Sequence, residues 1–311
     1  MFKKKNKPLP RLSSVILTAL VFVALLAPAA LASSPVADKP AALPQKVEPQ
    51  TGVSVQKNSK AAVDASNLKE GYIMVQYVGG RNVKIKVQIT KQGGVTYTYN
   101  LNSAGQMETY PLSEGNGKYT IAIFENVSGN SYTQAYSCTV DMTLRSSFLP
   151  FLYPNQYVNF KTDSQVSVKA AELTKGVTKE MDKLTNIYRF VVDNFSYDTE
   201  LAATVTAGYI PDVDKVLERK KGICFDYAAV MSSMLRLQNI PSKLVVGYAG
   251  SVYHAWINVY ITDIGWIDKV IYFDGKNWSL MDPTFVSSGR SSQQVMQYVS
   301  DGKNYNQKFI Y

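Results

Sequence analysis

The sequence predicts an α+β protein, in which a small all-β sandwich of immunoglobulin-like type precedes a domain where helices lead into an antiparallel sheet. Three observations carry this. Residues 68–145 are short alternating segments parted by Gly-, Ser- and Asn-containing turns. From about residue 178 apolar residues recur at three-and-four spacing instead. Beyond residue 243 β-branched and aromatic runs with period two return, so helices come first and sequential strands follow, the order of an α+β domain.

The N-terminus reads as an export signal. Lys3, Lys4, Lys5, Lys7 and Arg11 form a basic segment, Val15 to Ala27 an apolar one, and Ala30-Leu31-Ala32 a small-residue cleavage site. An uncleaved anchor is the rival reading, but the apolar run is short beside the ~20 residues a span needs. Residues 1–32 are therefore expected to be removed, leaving no stable membrane span and a secreted or cell-wall-associated protein. Removal takes five cationic residues from a formal net charge of +9. With no Lys/Arg stripe in the remainder, a nucleic-acid partner has no support. Residues 33–65, rich in Ser, Pro, Ala, Lys and Gln, read as a flexible spacer.

The sandwich is expected over 66–145. Tyr72 to Val78 and Val83 to Ile89 flank a Gly-Gly-Arg-Asn turn and read as a hairpin. Strands follow at Val95 to Leu101, Gly117 to Glu125 and Tyr132 to Val140. Its tyrosines could line a sugar- or peptide-binding face; on a half-buried sheet they are more often simply good strand formers. Residues 146–165, with Phe148, Pro150, Phe151 and Tyr153, form a connector expected to pack between the domains. The last domain is expected over 166–311.

In that domain Met181, Leu184, Ile187, Tyr188, Val191, Val192 and Phe195 mark a helix over 178–195 whose stripe is core. A shorter helix, 212–221, leads to Lys221-Gly222-Ile223-Cys224. From Cys224, apolar spacing through Ala228, Met231, Met234 and Leu235 predicts a helix over 224–238. A cysteine at a helix N-terminus meets unpaired backbone N–H groups and the positive end of the macrodipole, which favour a thiolate and can bind an oxyanion. A lone free cysteine is more often a small buried hydrophobe. Cys138, the other cysteine, lies in a strand-like stretch and reads that way. One histidine and two distant cysteines give no zinc set, and no cofactor is expected.

The chain holds a single histidine. His254 opens a strand-like segment in which His254, Trp256, Asn258 and Tyr260 share one face. A second strand, Asn277 to Pro283, places Asp282 near its end. If the two pair antiparallel, Asp282 can lie opposite His254, so that a carboxylate orients an imidazole and the imidazole takes the thiol proton. Residues 262–271 between them read as a loop excursion beside the cleft. A short amphipathic piece over 293–299 and a possible last strand at Phe309-Ile310-Tyr311 end the chain.

Over about residues 166–290 the sequence resembles the transglutaminase-like superfamily of papain-like cysteine acyltransferases and proteases. The resemblance rests on Gly222-x-Cys224-x-Asp226-Tyr227-Ala228, Asn239-Ile240-Pro241, His254-Ala255-Trp256 and Trp278-x-Leu280-x-Asp282-Pro283-Thr284. It implies a Cys-bearing helix packed on an antiparallel sheet, with Cys224 as nucleophile, His254 as general base and acid, and Asp282 as the residue that orients the histidine. Some members add an indole N–H from upstream of the cysteine to the oxyanion hole. Trp256, Trp266 and Trp278 all lie downstream, so the backbone N–H of Cys224 and the hydroxyl of Tyr197 are the candidates here. Tyr197 can equally be an aromatic packed under its helix. The implied reaction is acyl transfer through a thioester on protein or peptide amides, resolved by water or by an amine. The alternative is an inactive binding or structural module of the cell envelope.

Overall fold

The computed structural model describes residues 52–249, 251–273, 278–280 and 305–311, all within one contact unit. The expected signal, Asp282 and the amphipathic piece over 293–299 lie outside the described residues. Among those described, no helix is long and apolar enough to cross a membrane.

Eight strands build two antiparallel four-stranded sheets. They are β1 (Val55–Lys57), β2 (Ala61–Asp64), β3 (Tyr72–Tyr77), β4 (Ile85–Lys91), β5 (Thr96–Leu101), β6 (Glu108–Pro111), β7 (Gly117–Ser128) and β8 (Ser131–Met142). The strand orders are β1-β2-β3-β6 and β5-β4-β7-β8. Period-two alternation turns Ile85, Val87 and Ile89 of β4 inward beside Tyr119, Ile121 and Ile123 of β7, and Val63, Ile73 and Val75 of the other sheet join the same apolar core. The chain changes sheet between β3 and β4, between β5 and β6, and between β6 and β7.

One expectation is corrected here. β1 and β2 lie in the stretch read as a spacer; Ala61, Val63 and Ala65 are fully or almost fully buried, yet such short, small-residue strands leave little periodic signal. The tyrosines do not offer a binding face at Tyr97, Tyr99, Tyr110 or Tyr119, which are all buried. Instead they join an aromatic cluster reaching across the molecule. Tyr99 stacks on Tyr157 of the connector at 5.8 Å, and Tyr157 contacts Phe225 at 5.3 Å and Tyr311 at 4.7 Å. The connector is buried from Phe148 to Tyr153, as its aromatic content predicts.

The second half contains α1 (Gln165–Leu173), α2 (Glu180–Asn194), β9 (Ser196–Tyr197), α3 (Thr199–Thr204), α4 (Val213–Arg219), β10 (Lys221–Gly222) and α5 (Cys224–Leu237). α1 has only Val166 and Ala170 as buried anchors, too few for a sequence stripe. The sheet that follows is β14-β13-β12-β11-β15, built from β11 (Ser242–Ala249), β12 (Val252–Ile261), β13 (Gly265–Phe273), β14 (Trp278–Leu280) and β15 (Tyr305–Ile310).

The excursion expected over 262–271 is therefore a strand. Gly265, at φ 97°, closes a tight turn, and β13 pairs back on β12 with Tyr260 opposite Trp266. Trp266 drives this pairing by packing against Phe148, Phe151 and Tyr260, with the Lys243 ammonium 3.9 Å from its ring centroid. One consequence overturns a second expectation: β14 pairs with β13, not with the histidine strand β12. The direct pairing expected between the histidine strand and the strand that begins at Asn277 is thus absent among the described residues, and Asp282 lies outside them.

α5 is enclosed on every side from Asp226 to Leu237. Near its end Arg236, 1 % exposed, donates to Ser242 O (2.7 Å), Tyr153 O (2.6 Å) and Tyr311 O (2.7 Å). Burial lowers its pKa to about 9. One guanidinium thus ties the central helix to the connector, to β11 and to the chain's last residue. Arg236→Met relieves a buried charge but strands the carbonyls of Tyr153 and Ser242, Tyr311 O keeping the Leu244 N–H at 3.0 Å. A net loss of about 2–4 kcal/mol is expected from the cost of orphaned buried acceptors, read from urea midpoints; an unchanged midpoint would refute the role given to this residue.

Candidate active site

The path into α5 is set by a short parallel pair. β10 lies beside β9, with Gly222 opposite Tyr197. Lys220, in the left-handed region at φ 49°, ends α4 and turns the chain into β10. Ile223 is extended, and the helix begins at Cys224. Ile223 has no side-chain acceptor, so only the returning half of a capping box exists: Asp226 Oδ2 accepts from the Ile223 N–H at 2.9 Å. Asp226, wholly buried, also accepts from the Tyr209 hydroxyl at 2.6 Å and lies 3.4 Å from Arg219 Nη2. A Cβ on Gly222 would stand 2.7 Å from both Cβ and Oδ2 of Asp226, so residue 222 must be glycine for the carboxylate to sit there.

Cys224, His254 and Tyr197 line one cavity of about 500 Å³. Its wall includes Tyr157, Tyr209, Phe225, Tyr253 and Tyr311, with the segment Val205 to Gly208. The three site residues predicted from the described part of the chain are thus brought to a common space; Asp282 lies outside the described residues. Cys224 and Cys138 are both free thiols.

The electrostatics correct the thiolate expected from the helix terminus. Burial pushes the Cys224 thiol up, and nearby Asp226 adds to this, while backbone groups of Ala255, Phe225 and Cys224 itself pull it back. Desolvation outweighs the helix end. Burial also lowers the His254 imidazole to about 4. The resting pair is consequently a neutral thiol and a neutral imidazole. Tyr197 is pushed up, first by burial and then by Cys224, which places its hydroxyl within electrostatic reach of the sulfur.

Sequence reasoning missed Tyr209 and the wall from Val205 to Gly208, which carry no motif, and it quoted Asp226 without giving it a task. The spacing of Asp226 two residues after Cys224 is an N3 capping signal and could have revealed that task. Among the described residues no group of three or more His, Cys, Asp or Glu side chains converges as metal ligands would.

With this geometry in view, residues 168–269 match the Transglutaminase-like superfamily core model, a span that includes both Cys224 and His254. This match runs from within α1 to within β13, about a third of the chain. In sequence the chain is similar to the uncharacterized protein YebA of Bacillus subtilis (strain 168), 25% identical over 179 residues, which are 50% of this chain and 24% of that relative. The chain thus spans about a quarter of YebA's length. Among solved structures it is similar to a provisionally assigned cysteine protease of Cytophaga hutchinsonii, with 14% identity, 69% of this chain and 67% of that one covered, and a TM-score of 0.35. A provisionally assigned protease of Parabacteroides distasonis is also similar, with 14% identity, 65% and 61% covered, and a TM-score of 0.29.

A stability profile tests the burial of the imidazole. His254 titrates at about 4 when folded against an ordinary 6.5, so between those values the unfolded chain binds more protons and stability must rise with pH. From pH 4 to pH 6.5 the protein should gain about 3 kcal/mol that a His254→Gln variant does not, at ~1.4 kcal/mol per pH unit. Parallel urea-stability curves for the two proteins over that window would show that the imidazole is not desolvated.

Proposed function

We propose that the protein is a transglutaminase-like cysteine enzyme that transfers the acyl group of protein or peptide carboxamides through a thioester on Cys224. The single observation that carries the proposal is the convergence of Cys224, at the start of a buried helix, and His254, near the start of β12, on one enclosed cavity. In this reading the Cys224 sulfur attacks the carbonyl carbon as His254 takes its proton, and a tetrahedral oxyanion forms. His254 then returns the proton to the departing amine, the C–N bond breaks, and a thioester remains. Water or a second amine, deprotonated by His254, attacks the thioester and restores the thiol.

A neutral imidazole is the form a general base requires, so the low pKa of His254 suits this role at neutral pH. The backbone N–H groups near the sulfur and the Tyr197 hydroxyl are the donors available to the oxyanion. Asp282 is assigned to orient and stabilise the histidine, on the strength of the Trp278-x-Leu280-x-Asp282-Pro283-Thr284 motif. The cavity's mainly apolar and aromatic wall, Tyr157, Phe225, Val246, Tyr253 and Tyr311 among it, favours exclusion of water and so leaves transamidation open beside hydrolysis. We further assign the N-terminal strands to an immunoglobulin-like sandwich, since a β1-β2-β3-β6 sheet beside a β5-β4-β7-β8 sheet has that type's pattern of sheet exchange. Export to the cell envelope rests on the signal-like pattern of residues 1–32.

Incubating the full chain with a glutamine-rich protein and a fluorescent primary amine tests the reaction. Amine incorporation or new amino termini should appear and fall by at least ~100-fold in Cys224→Ala and His254→Ala, the range expected for loss of a nucleophile or general base. Activity that persists in Cys224→Ala would refute the mechanism, and the absence of both products in the unaltered chain would favour an inactive envelope-binding module.

A further inference from the structure

Among the described residues only two tyrosines are exposed, Tyr253 at 57 % and Tyr248 at 39 %. They stand opposite each other across β11 and β12, with ring centroids 5.3 Å apart and planes inclined at 66°. Tyr253 immediately precedes His254 and itself lines the cavity that Cys224 lines. Elsewhere the exposed large apolar side chains include single valines on separate elements, such as Val127 in β7 and Val168 in α1. Single apolar residues on a surface need no explanation, whereas a touching aromatic pair beside a candidate nucleophile points to a contact made there.

The pair is the outer end of a run of rings that leads to the thiol. Tyr253 is within electrostatic reach of Tyr157 and Tyr311. Tyr157 in turn contacts Phe225 at 5.3 Å and Tyr311 at 4.7 Å, and Phe225 is the residue after Cys224. Tyr157, Phe225, Tyr253 and Tyr311 all line the one cavity. Their planes are inclined, at 53° for Tyr157 with Phe225 and 74° for Tyr157 with Tyr311, so the run offers edges and faces in turn rather than a flat platform. That suits another aromatic ring, whose positive edge meets a negative face, better than a sugar, which stacks on an open flat face. Among the described residues that line the cavity there is no Lys, Arg, Asp or Glu. A charged group entering it loses water and gains no charged partner from them. Val205, also exposed, adds aliphatic surface to the same cavity.

We propose that Tyr248 and Tyr253 select the acyl donor by binding an aromatic side chain that flanks the amide processed at Cys224. The substrate class is then a polypeptide with a phenylalanine-, tyrosine- or tryptophan-like residue beside the reacting carboxamide. Seating such a ring against Tyr253 takes apolar area of the exposed pair out of water. Because Tyr253 and Cys224 line one cavity, the same act brings the neighbouring amide into the space beside the thiol. The volume of about 500 Å³ lies within the ~300–1,000 Å³ of ligand sites and has room for a ring and the amide next to it. That the ring belongs to an acyl donor rests on the acyl-transfer reading; its binding beside Tyr253 does not.

The test offers the full chain blocked peptides acetyl-Ala-X-Gln-X-Ala-amide, in which X is Phe, Ser, Glu or Lys, together with a primary amine. Products followed by mass spectrometry in pairwise competition give ratios of kcat/KM. The Phe peptide should exceed the Ser peptide by at least ~10-fold, and the Glu and Lys peptides by more. Tyr253→Ala should cut the Phe-to-Ser ratio by at least ~5-fold and Tyr248→Ala should lower it too, whereas Tyr253→Phe, which keeps the ring, should preserve it. Both side chains are exposed, so these variants should keep the melting midpoint of the unaltered chain. Calorimetric binding of the same peptides and of an N-acetylglucosamine pentamer to the Cys224→Ala chain reads the site without turnover. A Phe-to-Ser ratio near one, preference for the Glu or Lys peptide, a ratio indifferent to both alanine variants, or tighter binding of the pentamer would each overturn the proposal, while product formation leaves the acyl-transfer reading in place. If no peptide gives product, yet the Cys224→Ala chain binds the Phe peptide and loses it on adding Tyr253→Ala, the aromatic site stands and the acyl-transfer reading falls. Neither product nor binding would overturn both.

Discussion

The buried carboxylate of Asp226 is the point on which the site's geometry hangs. It receives the Ile223 N–H, the Tyr209 hydroxyl and the long contact from Arg219, and it fills the space that the missing side chain of Gly222 leaves. Those bonds offset the cost of removing a charge from water, a cost still visible in a pKa held above the ordinary carboxylate range by burial. In return the start of α5 cannot fray or shift, the end of α4 is held to it, and Tyr209 is pinned as part of the cavity wall. The same negative charge disfavours a thiolate at Cys224. Position and activation of the sulfur are therefore in opposition, and the fold resolves the conflict in favour of position.

At its other end α5 is fixed by Arg236, whose three carbonyl partners come from the connector, from β11 and from Tyr311. A helix tied at both ends and buried along its length behaves as a rigid post between sheet and sandwich. The aromatic cluster through Tyr99, Tyr157, Phe225 and Tyr311 then makes the sandwich part of the same core, because Phe225 adjoins the nucleophile in sequence. The N-terminal strands thus help to set the wall of the cysteine cavity.

The elements that were legible in the sequence are those with a sustained period. β4 and β7 alternate over several residues, and α2 and α5 carry full apolar stripes, so their existence follows from pattern alone. β1, β2 and α1 were missed because small or few buried residues supply too little signal. The first part of β13 reads as a loop in sequence because its pairing is fixed by Trp266 packing on Phe148 and Phe151, a contact with residues more than a hundred positions away. The same long-range effect displaced β14 from the histidine strand. Cys224 and His254 were legible because their neighbours form a motif. The partners that hold the cysteine in place were not, since Tyr209 reaches Asp226 through tertiary structure only.

The neutral resting pair has a consequence for how the proposed reaction must run. Burial raises the thiol and lowers the imidazole, so proton transfer between them at rest runs uphill before the attraction between the new charges is counted. A preformed thiolate–imidazolium pair is then disfavoured unless a further charge stabilises the imidazolium. Two sources are available in the proposed mechanism. One is proton transfer concerted with attack, in which negative charge passes directly to the carbonyl oxygen and is met by backbone N–H groups. The other is a carboxylate, and in the reading proposed above that is Asp282. Its task becomes electrostatic as well as orienting: a histidine buried this deeply can act as a base only where something nearby makes its cation affordable.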